Sequence, residues 1–156
     1  MDRKTYSQPF GGDEMKRPLY ETPDNLRAEA NLANFIAERW QCQPQKLWQL
    51  SQIDYALFRE KKLTALAEMK CRMNPKDAYD TYMLSLDKIM AGLRLQEVTD
   101  LPVFLVVRWT DATGYLRICK PKFVGIGGRK DRNDPLDTEL VGHFDTRSFI
   151  IIEENA

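Results

Sequence analysis

Asp54, Glu68 and Lys70 are the residues of this 156-residue chain whose types and spacing could do chemistry. Glu68-Met69-Lys70 closes a short apolar run, and Asp54 stands fourteen residues before Glu68. Two carboxylates brought together can hold a hard divalent cation, and an ammonium beside them can orient a water or offset phosphate charge. That is equipment for metal-dependent phosphodiester hydrolysis. A Glu-x-Lys tripeptide by itself means little, because Glu14-Met15-Lys16 and Glu60-Lys61-Lys62 repeat it. Its setting separates the third copy from the other two.

Side chains alternate between the two faces of a strand. Leu63 to Arg72 read this way puts Leu63, Ala65, Ala67, Met69 and Cys71 on an apolar face. Thr64, Leu66, Glu68, Lys70 and Arg72 fall on a face that turns polar toward its end. The pattern is that of a half-buried strand. A second strand candidate is centred on Ile53 to Phe58, with Glu60-Lys61-Lys62 as the polar break between the two. A hairpin centred on Lys61 sets Asp54 directly across from Glu68, where opposed Cβ atoms lie ~4.5–5.5 Å apart. Carboxylates that close repel unless a cation lies between them. The break lacks the Gly, Asn or Asp that marks a tight hairpin turn, and a solvated strand face is the plain alternative reading of these charges.

The elements that must position these residues follow from punctuation and period. Thr22-Pro23-Asp24 opens a helix, with Thr22 as cap, Pro23 at the first position and an acid in the first turn. It runs to about Trp40, with Leu26, Ala30, Ala33, Ala37 and Trp40 as its buried stripe. Glu29 lies at the edge of that stripe, either as an ordinary salt-bridging residue or as a third carboxylate reaching the metal centre; a lone buried charge is costly. A second helix is expected from about Ala78 to Glu97, with Tyr79, Tyr82, Met83, Leu86, Ile89, Met90 and Leu93 on one face and Lys88 on the opposite one. Leu101 to Trp109 reads as a strand covered on both sides, and Tyr115 to Cys119 as its antiparallel neighbour. Gly125 to Lys130 lacks the Gly-Lys-Ser/Thr ending of a phosphate-binding loop and reads as a mobile basic loop. Phe149 to Ile152 is a last short strand, and His143 is read as structural. Residues 1–21 are expected to be a flexible arm and residues 22–156 a single nuclease-like domain. The order helix, strand, strand, helix, strand, strand gives an α/β (α+β) core, a mixed β-sheet flanked by helices.

A hydrophobic fraction of 43% and a charged fraction of 29% are those of an ordinary globular chain, and no apolar run approaches the length of a membrane helix. Cys42, Cys71 and Cys119 are odd in number and widely spaced, as expected of reduced thiols in a cytoplasmic compartment. Net charge is zero, but its distribution is uneven. Residues 59–76 carry Arg59, Lys61, Lys62, Lys70, Arg72 and Lys76 against two acids, and residues 117–132 carry Arg117, Lys120, Lys122, Arg129, Lys130 and Arg132 against one. A phosphate-binding face would be charged this way, as would a solvated loop.

The stretch from Thr22 to Cys119 resembles the PD-(D/E)XK nuclease superfamily, with its restriction-endonuclease-like fold. Asp54 stands where the first acid of the motif belongs, Glu68-Met69-Lys70 supplies the (D/E)-x-K half, and Glu29 matches the first-helix glutamate of many members. Ile53 rather than Pro precedes Asp54, which leaves the acid in place. Tyr79 to Lys88 is similar to a segment of small phage-encoded members. The resemblance implies a Mg²⁺-dependent nuclease (Mn²⁺ may substitute) acting on DNA in phage or mobile-element metabolism, in the cytoplasm of a bacterial host, with a homodimer as one arrangement for cutting two strands. It implies catalytic roles for Asp54, Glu68, Lys70 and Glu29, and a metal held by Asp54, Glu68, Glu29 and the Met69 backbone carbonyl. Arg72, Lys88, Arg129, Lys130 and Arg132 are the implied nucleic-acid contacts. The competing expectation is a catalytically inactive nuclease-fold protein that binds nucleic acid or a protein partner.

Overall fold

The structure is a computed structural model that describes residues 22–48, 51–127 and 138–154. The N-terminal arm expected at 1–21, and Arg129, Lys130 and Arg132, lie outside the described residues.

Helix α1 (Pro23–Trp40) begins at the expected cap, where the Thr22 hydroxyl accepts from the Asn25 amide at 3.2 Å. It ends at Gln41, which takes the left-handed conformation. Strands β1 (Gln43–Lys46), β2 (Tyr55–Arg59) and β3 (Lys62–Cys71) form an antiparallel meander. Strand β4 (Thr81–Ser85) leads into α2 (Leu86–Thr99), which returns the chain to β5 (Val103–Arg108). Strand β5 pairs parallel to β3, as such a crossover permits. Strands β6 (Ala112–Arg117), β7 (Phe123–Gly127), β8 (Glu139–Asp145) and β9 (Ile150–Glu154) follow. The larger sheet has the order β1-β2-β3-β5-β6-β9, and the smaller the order β4-β8-β7.

The larger sheet is covered on both faces. On one, Leu32, Ala33 and Ile36 of α1 pack against Tyr55, Leu57, Ala65, Ala67, Met69 and Val106. On the other, Leu66, Val103, Leu105 and Val107 pack against Ile89 of α2 and against Tyr82, Leu84 and Phe144 of the smaller sheet. Strand β3 is therefore buried on both faces between Ala65 and Met69, rather than half-buried.

The mixed sheet and flanking helices match expectation, while several boundaries differ. The helix expected from Ala78 begins only at Leu86; Thr81 to Ser85 is a strand whose burial alternates, with Tyr82 and Leu84 inward and Met83 outward. A period of two there outweighs the helical spacing of Tyr79, Tyr82 and Met83. Strand β6 starts at Ala112, three residues before the expected Tyr115, because Ala112 to Gly114 pairs with β5 and β9. The first half of the loop expected at Gly125 to Lys130 belongs to β7, on β8. Leu26 is exposed, and Leu32 and Ile36 take its place in the stripe of α1.

The hairpin between β2 and β3 turns on Glu60 and Lys61, both at positive φ (50° and 63°). Type I′ turns demand this of both central residues, and Asn-Gly or Asp-Gly satisfies it most readily. A bulge corrects the register: Phe58 pairs with Leu63 but Leu57 with Ala65, leaving Thr64 unpaired, its hydroxyl donating to the Leu57 carbonyl at 3.1 Å. The bulge also turns Leu63 away from Ala65 and into the opposite core. The double substitution Glu60→Asn with Lys61→Gly should remove left-handed strain of roughly 1 kcal/mol per residue. A higher urea midpoint with unchanged slope is the expected result.

Candidate active site

Beyond the bulge, the β2–β3 register pairs Tyr55 with Ala67. One step further, Asp54 faces Glu68, and the ladder to β1 reaches the same point through the Leu47 amide and the Asp54 carbonyl at 2.7 Å. The wrongly centred hairpin of the sequence reading and the real, bulged one thus give the same opposition. Glu68 is fully buried and Asp54 nearly so.

Three lysines neutralise these acids. Glu68 Oε1 lies 2.9 Å from Lys70 Nζ and 2.6 Å from Lys88 Nζ. Lys88 also donates to the Gln52 carbonyl at 3.1 Å. Lys46 Nζ lies 3.8 Å from Asp54 Oδ1 and 3.8 Å from Glu29 Oε2. Three carboxylates and three ammonium groups balance, as buried charge requires. Burial pushes the Glu68 carboxyl above its ordinary value; Lys70 and Lys88 oppose this, and Asp54 adds to it. Burial pulls the Lys70 ammonium down, but the Glu68 carboxylate overcomes that and holds it above the ordinary lysine value.

Lys88 does not fall on a remote helix face as the sequence spacing suggests. Because the helix starts at Leu86, Lys88 lies in its first turn and reaches Glu68. Glu29 shares Lys46 with Asp54, and among the described residues no three acidic, histidine or cysteine side chains gather as a metal cluster. Two buried oxygens, Asp54 Oδ2 and Glu68 Oε2, accept no hydrogen bond among the described residues. A pair of hard oxygen donors fits a cation such as Mg²⁺, which commonly takes only one or two carboxylates and fills its shell with water and phosphate oxygens.

Lys46 and Tyr82 were missed from the sequence. Lys46 gave no signal because β1 is four residues long and half-exposed. Tyr82 was masked by its helical spacing. The Arg72 guanidinium sits 4.9 Å from the centroid of the Tyr82 ring, and Arg72 Nη1 donates to the Cys71 carbonyl at 3.4 Å. His143 Nδ1 lies 2.8 Å from the Thr81 hydroxyl, and its ring stacks on Phe123. None of the helices described is long and apolar enough to cross a membrane.

The fold so assembled is that of the restriction-endonuclease-like class. It is similar to the Archaeoglobus fulgidus Hjc, a Holliday junction resolvase from an archaeal hyperthermophile, with a TM-score of 0.53 over 83% of this chain and 92% of that one, at 12% identity. Residues 15–152 match the model of a family described as "Phage putative PDDEXK endonuclease", and the chain belongs to that family. No curated protein matches it.

Proposed function

We propose that this protein is a Mg²⁺-dependent endonuclease that hydrolyses phosphodiester bonds in DNA, Mn²⁺ serving in place of Mg²⁺, in phage or mobile-element DNA metabolism within a bacterial cytoplasm. The observation that carries this reading is the fully buried Glu68, opposite Asp54 and in contact with Lys70. Asp54, Glu68 and the Met69 carbonyl would hold the ion, with Glu29, which shares Lys46 with Asp54, as the further carboxylate of the set. When bound, a divalent ion lowers the pKa of a coordinated water and polarises the phosphate. Lys70 is positioned to orient the attacking water and to offset phosphate charge. Lys88 steadies the Glu68 carboxylate from the other side, and Arg72 continues the cationic edge along the strand toward a substrate phosphate. The resolvase likeness supports DNA as the substrate class, and a homodimer is the arrangement that would cut two strands.

The test is incubation of purified protein with plasmid, linear and branched DNA under Mg²⁺, Mn²⁺ and EDTA. Cleavage with either metal and none in EDTA is the expected result. A gel shift in EDTA with no cleavage under any metal would favour the inactive binder instead. No binding that weakens with salt would remove nucleic acid from the account altogether.

A further inference from the structure

A cavity of about 280 Å³ lies beside the proposed active site, lined by Arg72, Lys76, Tyr79, Tyr82, Trp109 and His143 among others. We propose that it receives one unstacked base of the DNA strand whose phosphate lies at Lys70; this rests on the nuclease reading above.

The cavity adjoins the site through Arg72, two residues beyond Lys70 on the same strand edge. Arg72 follows Lys70 on the same face of the strand, and the Arg72 amide extends the ladder by donating to the Arg108 carbonyl at 2.8 Å. Tyr82 lies within electrostatic reach of Lys70, Arg72 and Glu68. A strand with a phosphate at Lys70 would carry its neighbouring base toward Arg72 and this cavity. The volume lies at the lower limit of ligand pockets, ~300–1,000 Å³, and so suits a small flat group.

The lining has the chemistry of a base site. The Tyr82 ring is clamped edge-on by Trp109 (6.2 Å) and Phe149 (5.8 Å), with the Arg72 guanidinium over its face. That leaves the hydroxyl as its only adjustable group. The hydroxyl is buried and has no hydrogen-bond partner among the described residues. An unsatisfied buried donor is costly, and a base carbonyl or ring nitrogen would satisfy it. Tyr79, at the rim, keeps 67% of its surface exposed. An unpacked aromatic there is a stacking platform, and aromatic stacking on bases tolerates any sequence. Arg72 and Lys76 supply positive charge for the phosphates on either side of the base.

The deciding experiment compares oligo(dT) of about twelve nucleotides with an abasic strand of equal length, so that phosphates match and only bases differ. Binding is followed by fluorescence anisotropy in EDTA. The wild-type protein should bind oligo(dT) roughly tenfold more tightly or better. Tyr79→Ala and Tyr82→Phe should each reduce that preference and leave abasic binding unchanged; Tyr82→Phe keeps the ring, so the fold is preserved. Equal binding of the two strands by wild type, or full preference in both variants, would overturn the base site while leaving the nuclease reading intact. Failure to bind either strand, together with absent cleavage, would overturn both.

Discussion

Glu68→Gln should reduce metal-dependent DNA cleavage by about three orders of magnitude or more. The amide keeps the shape of the side chain but removes the negative charge that holds the ion. Stabilisation worth several kcal/mol is then lost from the transition state, and ~1.4 kcal/mol is a factor of ten in rate. The substitution also leaves the Lys70 and Lys88 ammonium groups facing each other without their shared anion. Breaking a fully buried ion pair costs ~3–5 kcal/mol. Here the lysine side chains are 22% and 24% exposed, so they can swing toward water and the cost should be much smaller. A thermal melt run beside the cleavage assay separates the two effects. A folded Glu68→Gln protein that still cuts DNA within tenfold of wild type would remove Glu68 from the site.

How far that site could be read from the chain depended on which physical signal carried each part. The opposition of Asp54 and Glu68 was legible because two apolar runs each carry a single acid, and the hairpin connecting them is short enough to limit the register. It survived an error in the turn only because the bulge at Thr64 supplies the extra residue. Helix α1 was legible to the residue at its start, since Thr22-Pro23 is a local signal that needs no tertiary context. Lys88 was misplaced because its direction depends on where α2 begins. Tyr79, Tyr82 and Met83 satisfy a helical period while Tyr82 and Leu84 satisfy a strand period, and only pairing with β8 settles it. That pairing joins Thr81–Ser85 to Val141–Asp145, across a separation no local pattern spans. Lys46 was invisible for a related reason: it reaches Asp54 and Glu29 from a third strand, and its own neighbours carry no charge pattern.

Acidification should abolish cleavage earlier than an ordinary glutamate would require. Burial, reinforced by Asp54, raises the Glu68 carboxyl above the ordinary 4.5, against the pull of Lys70 and Lys88. Only the ionised form can hold a cation, so protons and metal compete for the same oxygens. Below the raised pKa the rate should fall about tenfold per pH unit, as expected for one proton. The sign of two perturbations follows. Lys88→Met removes a charge that lowers the Glu68 pKa, so the acid limb of the pH–rate profile should move to higher pH. More Mg²⁺ should move it to lower pH, because the cation displaces the proton. A purely structural Lys88 would lower the rate evenly at every pH and leave the limb in place. Profiles of wild type and Lys88→Met at two Mg²⁺ concentrations measure both shifts, and a limb fixed in all four would mean that the group losing activity in acid is not Glu68.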